Sequence, residues 1–230
     1  VKLQVPFVPA LLCGGLLAGL TGIAVGLPAL RLRGDYLAIA TLGFGEIIRV
    51  IILNTDAVGG ARGFSGIPKY TTFGLAYLIA IITVVAIRNF VSSDFGRACL
   101  AVREDEIAAE SLGVNSTYFK VLAFALGAFF AGTAGALFSH YLQYMAPTAS
   151  QIGFLKSIDI LIMVVLGGLG SLTGSVIAAI VLTILPEFLR GLAEYRMVIY
   201  PLLLIAVMIY RPAGLMAGRE FSLGSLLALG

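Results

Sequence analysis

Residues 121–155, VLAFALGAFFAGTAGALFSHYLQYMAPTASQIGFL, carry no acidic or basic side chain other than His140, which is taken as neutral. As one helix this stretch would be about 50 Å long, whereas the hydrocarbon core of a bilayer is about 30 Å thick. A proline removes a helical hydrogen bond and disfavours helix at the residue before it, so Pro147 divides the stretch. The sequence therefore predicts one membrane span from about Val121 to Gln143 and a second that begins near Gln151.

The composition of the whole chain also indicates a membrane protein. Apolar residues make up 60% of the 230 residues, charged residues make up 12%, and the mean hydropathy is +1.04. A soluble domain of this composition would expose large apolar patches, so lipid must surround most of the surface. The isoelectric point is near 9.0, but no basic cluster with interleaved aromatic residues is present, so no nucleic-acid partner is predicted.

Charged residues and glycine-proline clusters divide the chain into about seven apolar segments. The predicted fold class is therefore an all-α membrane protein, a polytopic helix bundle that forms a single transmembrane domain over residues 1–230. A glycine-rich loop at 54–72 separates the second and third segments. The predicted spans are approximately 7–30, 36–53, 70–87, 121–143, 151–166, 175–189 and 197–210.

The first segment is a span and not a signal peptide, because residues 3–30 are uncharged and a signal-peptide core has only about 7 to 15 residues. The chain begins at Val1 and not at methionine. We therefore expect an N-terminally truncated sequence, with one or more further helices ahead of it in the parent protein.

The placement of lysine and arginine predicts the orientation, because these residues are enriched in cytoplasmic loops. The predicted cytoplasmic side contains the polar stretch 88–117. Its cations are Arg31, Arg33, Arg88, Arg97, Arg103, Lys120, Arg211 and Arg219. The predicted outer side holds Lys2, Arg62, Lys69, Arg190 and Arg196.

Residues 95–113, FGRACLAVREDEIAAESLG, are polar but strongly helical in composition, and Gly113 and Asn115 supply a C-terminal stop. Apolar residues alternate with acids in this stretch. The predicted helix therefore lies along the membrane surface or docks into a groove of another protein. A solvated connecting helix fits the same periodicity equally well.

Several strings of this sequence resemble the LivM-type permeases of branched-chain amino-acid importers driven by ATP. The spacing Ala108-Ala109-x-x-x-Gly113 resembles the cytoplasmic EAA loop of such importers, although the glutamate of that pattern falls at Ile107 and Glu106 lies one position earlier. The other strings are LRLRGDYLA (30–38), TLGFGEIIR (41–49), REDEIAAE (103–110), VLGGLGS (165–171) and YRPAGL (210–215).

The resemblance implies the permease fold of ABC importers, multi-pass in the bacterial inner membrane. It also implies a second permease subunit, two ATP-binding subunits and a periplasmic substrate-binding protein as partners. Residues 95–113 would then be the cytoplasmic coupling helix, with ATPase-coupling residues Arg103, Glu104, Asp105, Glu106, Ala108, Ala109, Glu110 and Gly113. The chain has no G-x-x-x-x-G-K-[ST] phosphate loop, so partner subunits would have to supply ATP hydrolysis.

Glu46 and Arg49 lie three residues apart inside the second predicted span. A charge at the bilayer centre costs at least about 2.5 kcal/mol, so the pair is expected to face the bundle interior or water. It is a candidate polar site on the path of a zwitterionic amino acid. A structural or interfacial ion pair is the alternative.

A break in the helical pattern is predicted at 167–174, where Gly167, Gly168, Gly170 and Gly174 allow either a turn between spans or a re-entrant segment. These glycines are also candidates for close helix packing. His140 is expected to be a hydrogen-bonded bundle residue, and Lys156 with Asp159 an interfacial pair.

Three other classes of function stay open at this stage. A secondary transporter or channel would also contain buried charges and broken helices. A permease of the same family for another small polar solute, such as urea, is equally compatible, because only the resemblance points to leucine, isoleucine and valine. A membrane-embedded enzyme is disfavoured, because one histidine with the separated Cys13 and Cys99 predicts no catalytic set, no metal site and no cofactor.

Overall fold

The computed structural model describes residues 6–32, 34–146, 148, 153–188, 205, 210 and 214. The chain divides into two compact units, residues 1–154 and 155–230.

The first unit is a bundle of helices with one small strand pair. Its helices are α1 (Phe7–Ala29), α2 (Asp35–Leu53), α3 (Phe73–Ser92), α4 (Asp94–Glu104), α5 (Glu106–Ser111) and α6 (Ser116–Leu142). Two 3₁₀ turns, Asp56–Val58 and Gly60–Arg62, lie between α2 and α3. The strands β1 (Phe64–Ser65) and β2 (Tyr144–Met145) pair antiparallel.

Four of these helices, α1, α2, α3 and α6, are long and apolar enough to cross a bilayer among the residues that the structure describes. Most of their large apolar side chains are exposed, as lipid-facing side chains must be. The all-α membrane fold is therefore confirmed, with the two-residue strand pair as an added local feature. The fourth predicted span, 121–143, is a longer helix than expected, because α6 begins at Ser116.

Helices α1 and α6 pack along most of their length because small residues let their backbones approach. A methyl group on Gly22 would lie 2.7 Å from the Ala128 side chain, and one on Gly15 would lie 2.7 Å from the Thr133 side chain. Side chains larger than hydrogen would therefore force these two helices apart.

The loop between α2 and α3 folds against the C-terminal end of α6. The Thr71 hydroxyl donates to the Leu137 carbonyl at 2.8 Å, and the Tyr144 hydroxyl donates to the Arg62 carbonyl at 3.0 Å. His140 Nδ1 lies 2.8 Å from the Pro68 carbonyl oxygen. Residues 54–72 and 143–146 thus share one end of the unit, which we call the loop end.

The opposite end of the first unit contains the α1–α2 connection together with α4 and α5. A cleft of about 410 Å³ lies at this end between the α1–α2 connection, the start of α2, α4 and α6. It is lined by Leu30, Leu32, Leu37, Cys99, Val102, Arg103, Phe119, Lys120, Ala123 and Phe124. We call this end the α4–α5 end. The alternation of ends agrees with α1, α2, α3 and α6 crossing a membrane in turn.

The second unit contains α7 (Phe154–Gly167), which begins at the unit boundary, and α8 (Leu172–Phe188). These helices have 14 and 17 residues, or about 21 and 25 Å, which is less than the roughly 20 residues of a full crossing. Leu166, Ala178 and Leu182 form their buried core. The predicted break is present at residues 168–171, between the two helices.

One detail of the sequence prediction needs correction. Residues 95–113 form two helices and not one, since the backbone at Asp105 is extended, with φ −151° and ψ 108°. The span predicted to end at about Gln143 ends at Leu142, and Gln143 adopts a left-handed conformation with φ 61°. The predicted seventh span, 197–210, lies almost entirely outside the described residues.

Candidate functional site

Helix α4 is fixed between α3 and α6. The Ser93 hydroxyl accepts a hydrogen bond from the Gly96 amide at 3.2 Å and so caps the helix start. The Cys99 thiol donates to the Phe119 carbonyl oxygen at 3.6 Å, and the Phe95 and Phe119 rings lie 6.5 Å apart. Partial burial raises the pKa of the Cys99 thiol, because removal from water disfavours the thiolate.

Asp105 ends α4 and starts α5. Its carboxylate accepts hydrogen bonds from the Ile107 amide at 2.9 Å and from the Ala108 amide at 3.0 Å. These amides have no partner inside the helix, so the side chain acts as an N-cap. Asp105, which the resemblance implied as an ATPase-coupling residue, therefore has a local structural role as a helix cap.

Gly113 terminates α5 through a left-handed backbone, with φ +84°. The Val114 amide donates to the Ala109 carbonyl at 3.0 Å and the Gly113 amide donates to the Glu110 carbonyl at 2.9 Å. This pair of hydrogen bonds is the Schellman motif, in which glycine is preferred because it has no Cβ. The predicted stop at Gly113 is present, whereas Asn115 caps the start of α6 by accepting from the Tyr118 amide.

One face of α5 is held by α6. Ala109 is 3% exposed. The Lys120 ammonium of α6 lies 2.6 Å from the Glu106 carboxylate, and the Ser116 hydroxyl donates to the Glu110 carboxylate. Glu106 and Glu110, which the resemblance implied as ATPase-coupling residues, thus form contacts within their own chain.

The opposite face of α5 is free of such partners in the part of the chain that the structure describes. Ile107 is 71% exposed and Leu112 is 85% exposed, and Ala108 is exposed between them. We call Ile107, Ala108 and Leu112 the docking face. Arg103 and Glu104, at the end of α4, form an exposed ion pair with each other.

Sequence reasoning did not single out Ser116 as functional and counted Lys120 only for orientation. The signal was nevertheless present, because Glu106 and Glu110 are four residues apart before the Gly113 turn, and Ser116 and Lys120 are four residues apart after it. Such mirrored spacing places the side chains face to face in a helical hairpin.

Glu46 and Arg49 form a two-point ion pair on α2. Arg49 Nε lies 2.8 and 2.9 Å from the two Glu46 carboxylate oxygens. The Arg49 side chain is 29% exposed and that of Glu46 is 50% exposed. The half-buried apolar positions of α2 are Leu37, Ala40, Phe44, Ile52 and Leu53. Leu37, Ala40 and Phe44 lie on the side of the helix opposite Glu46, whereas Arg49 and Leu53 are half-buried on the side of the ion pair. Glu46 therefore points away from the first three positions, and Arg49 is partly covered.

Gly167 and Gly174 touch across the break between α7 and α8. A methyl group on Gly167 would lie 2.6 Å from the Gly174 carbonyl, and one on Gly174 would lie 2.2 Å from the Gly167 oxygen. Gly168 and Gly170 have positive φ values of 110° and 89°. The turn therefore depends on all four glycines, and any further role for them in transport stays a prediction.

His140 is hydrogen-bonded at the loop end and packs edge-on against the Phe7 ring at 5.0 Å. It lies far along α6 from the α5 contacts. Lys156 and Asp159 both lie on α7, three residues apart, and their interfacial role stays a prediction.

The helices and the exposed apolar surface define the class of protein. The chain is a multi-pass helical membrane protein with a structured polar helix pair at one end of its spans. Residues 1–208 match the family described as "Branched-chain amino acid transport system / permease component", and the chain belongs to this family.

Curated relatives agree with the family. The chain is 40% identical to the high-affinity branched-chain amino acid transport system permease protein LivM of Salmonella typhimurium, over 88% of this chain and 55% of that protein. It is 31% identical to the corresponding LivH protein of Escherichia coli, over 71% of this chain and 53% of that protein. It is 32% identical to BraD of Pseudomonas aeruginosa, over 74% of this chain and 55% of that protein.

The chain thus spans about half the length of the curated relatives it matches. No solved structure matches the chain.

Proposed function

We propose that the chain is the membrane-spanning permease part of an ATP-driven importer for the branched-chain amino acids leucine, isoleucine and valine. The observation that carries the proposal is the family match over residues 1–208. The relatives named above are permease proteins of high-affinity branched-chain amino acid transport. The proposed location is the bacterial inner membrane, and the proposed partners are a second permease subunit, two ATP-binding subunits and a periplasmic substrate-binding protein.

The α4–α5 end is the proposed cytoplasmic end. Lysine and arginine are more numerous there than at the loop end, as the positive-inside rule requires. Among the described residues the α4–α5 end has Arg31, Arg88, Arg97, Arg103 and Lys120, and the loop end has Arg62 and Lys69. An ATP-binding subunit in the cytosol would then meet α5 directly.

The docking face is the proposed contact for that ATP-binding subunit. Ile107 and Leu112 expose apolar side chains outside the four spans. Water contact with such side chains is unfavourable, and burial in a groove of a partner removes it. Closure of the ATP-binding subunits would move α5 and so change the arrangement of the spans.

The Glu46–Arg49 pair is the proposed polar site on the transport path. Glu46 lies on the side of α2 opposite the half-buried Leu37, Ala40 and Phe44, and lipid contact with an ion pair is costly. A facing subunit and a water-filled path remove that cost. A zwitterionic amino acid offers an ammonium group for the Glu46 carboxylate and a carboxylate for the Arg49 guanidinium.

Transport assays with the assembled complex test the proposal. The chain is purified with the proposed ATP-binding subunits and second permease, reconstituted into lipid vesicles, and supplied with the proposed binding protein. We expect uptake of radiolabelled leucine, isoleucine and valine that requires ATP hydrolysis. Uptake of urea but not of leucine would change the substrate assignment. Leucine uptake driven by an ion gradient without ATP would contradict the assignment as an ATP-driven importer.

Two substitutions localise the proposed roles. Ile107→Asp should weaken binding of the ATP-binding subunit, because a charge would enter an apolar contact. Glu46→Gln should lower leucine uptake in a complex that still assembles, since the ammonium of the substrate loses its charged partner. Full uptake by both variants would reject these two assignments while leaving the substrate assignment to the assay above.

A further inference from the structure

Helix α5 has six residues, and a helix of this length is not stable by itself. Both of its ends are also backbone joints, extended at Asp105 and left-handed at Gly113. Such a segment can transmit a displacement to the spans only if it is fixed to another element. The contacts with α6 fix it.

The contacts form two rungs of a helical hairpin. Glu110 meets Ser116 next to the turn, and Glu106 meets Lys120 one helical turn further along both helices. Ser116 is 3% exposed and lies under the first rung, and Ala109 is buried between the helices. On α5 the two acids lie opposite the docking face, so engagement with α6 leaves that face available.

We propose that Lys120 and Ser116 are positioning residues that clamp α5 to α6, so that a displacement of the docking face moves α6 as one body with α5. This inference rests on the proposed function, because it describes how ATP-driven motion would reach the spans. The extended residue Asp105 is then the joint between α4 and α5, and α4 contacts both α3, against which Gly96 packs closely, and α6, which Cys99 and Phe95 meet at Phe119.

The displacement continues from α6 to α1. The backbones of these helices are in contact through Gly132 and Gly14, with no side chain between them that could absorb the motion by changing its rotamer. A displacement of the docking face is thus passed first through the two rungs to α6 and then from α6 to α1. Helices α2 and α3 are outside this series, since neither has a buried residue in the described part of its length.

A hydrogen-exchange measurement tests the clamp without any transport. In the purified chain, Lys120→Ala combined with Ser116→Ala should speed exchange of the Ala109 amide of α5, and of the Leu112 and Val114 amides that close its C-terminal end, by at least about fivefold. The α4 amides should keep their rates. Unchanged α5 exchange would overturn the proposal, whatever the substrate of the protein.

The reconstituted complex tests the functional part of the inference. Lys120→Ala should keep ATP hydrolysis and lower leucine uptake per ATP by at least about fivefold. The charge exchange Glu106→Lys with Lys120→Glu should restore much of that ratio, which a loss of general stability would not allow. Arg97→Ala is the matched control, because it removes an ion pair with Asp94 that lies wholly within α4.

The outcomes distinguish a failure of the proposed transport function from a failure of the proposed α5–α6 clamp. If wild-type complexes fail to move leucine with ATP, the proposed function fails, and the exchange measurement still decides the clamp. If wild-type complexes transport and Lys120→Ala has the same uptake per ATP, the clamp has no part in coupling and the inference fails.

Discussion

Gly132 of α6 lies against the backbone of Gly14 in α1, so that a methyl group on Gly132 would stand 2.7 Å from the Gly14 carbonyl oxygen. The same methyl group would lie 2.4 Å from the Ala18 side chain. This contact has no room for any side chain. It sets the distance between the two helices that pack most extensively in the first unit.

Gly132→Ala should destabilise the protein by about 1–3 kcal/mol, because an inserted methyl group forces the helices apart. The measurement is thermal unfolding of the purified chain in detergent. Gly135→Ala is the matched control, since nothing lies within 4 Å of a methyl group there. The control should be neutral or stabilising by up to about 1 kcal/mol, because alanine favours helix over glycine. Equal melting temperatures for the two variants would contradict the described packing.

Asp105→Ala should loosen α5 selectively. The substitution removes the acceptor of the Ile107 and Ala108 amides, and loss of such a cap costs about 1 kcal/mol. We expect α5 amides to exchange about fivefold faster with deuterium while α4 amides are unaffected. Asp105→Asn should restore the slow exchange, since asparagine caps helices equally well. Failure of asparagine to restore it would indicate a role for the charge itself.

The membrane spans were predictable because their signal is local and strong. A run such as residues 7–29 is apolar along its whole length, and in lipid such a run forms a helix because its backbone groups must hydrogen-bond to one another. The stop at Gly113 was also predictable, because glycine adopts the left-handed backbone needed there without the steric cost of a Cβ.

The break at Asp105 could not be predicted from helix propensity, since every residue from Arg103 to Ala109 is compatible with a helix. What decides the break is the bend needed to bring α5 back onto α6, with Asp105 as its cap. The direction of Glu46 on α2 was equally hidden. Its spacing from Arg49 indicates that the two side chains meet, but only the burial of the other α2 residues shows which side Glu46 faces.

The two ends of the first unit should be accessible from opposite sides of the membrane. In a background with Cys13→Ser and Cys99→Ser, Ser111→Cys reports on the α4–α5 end and Ala61→Cys reports on the loop end, both at exposed positions. A membrane-impermeant maleimide added to intact cells should label the Ala61→Cys protein. The Ser111→Cys protein should react only after permeabilisation. Labelling of both proteins from outside would contradict the proposed topology.

Cys99 should react slowly with alkylating reagents at neutral pH. The thiolate is the reactive form, and burial raises the pKa of this thiol, so less thiolate is present at a given pH than for a free cysteine. In the Cys13→Ser protein, the rate of iodoacetamide modification should therefore rise with pH to a midpoint above the free-cysteine value of about 8.5. Denaturation should return the midpoint to that value. A midpoint at or below it in the folded protein would show that Cys99 is not shielded as described.

Substitutions at Gly113 separate the effect of an unfavourable backbone conformation from the effect of steric crowding by a new side chain. No atom lies within 4 Å of a methyl group placed there, yet the backbone φ of +84° is unfavourable for residues with a Cβ. Gly113→Val should therefore unfold the end of α5 and lower uptake per ATP in reconstituted complexes, because a β-branched residue is the least tolerant of this conformation. Gly113→Asn should retain most of the coupling, since asparagine adopts left-handed backbone more readily than other residues with a side chain. If both variants lose uptake equally, the surface beside Gly113 itself contacts the partner. If both retain it, the end of α5 has no part in coupling.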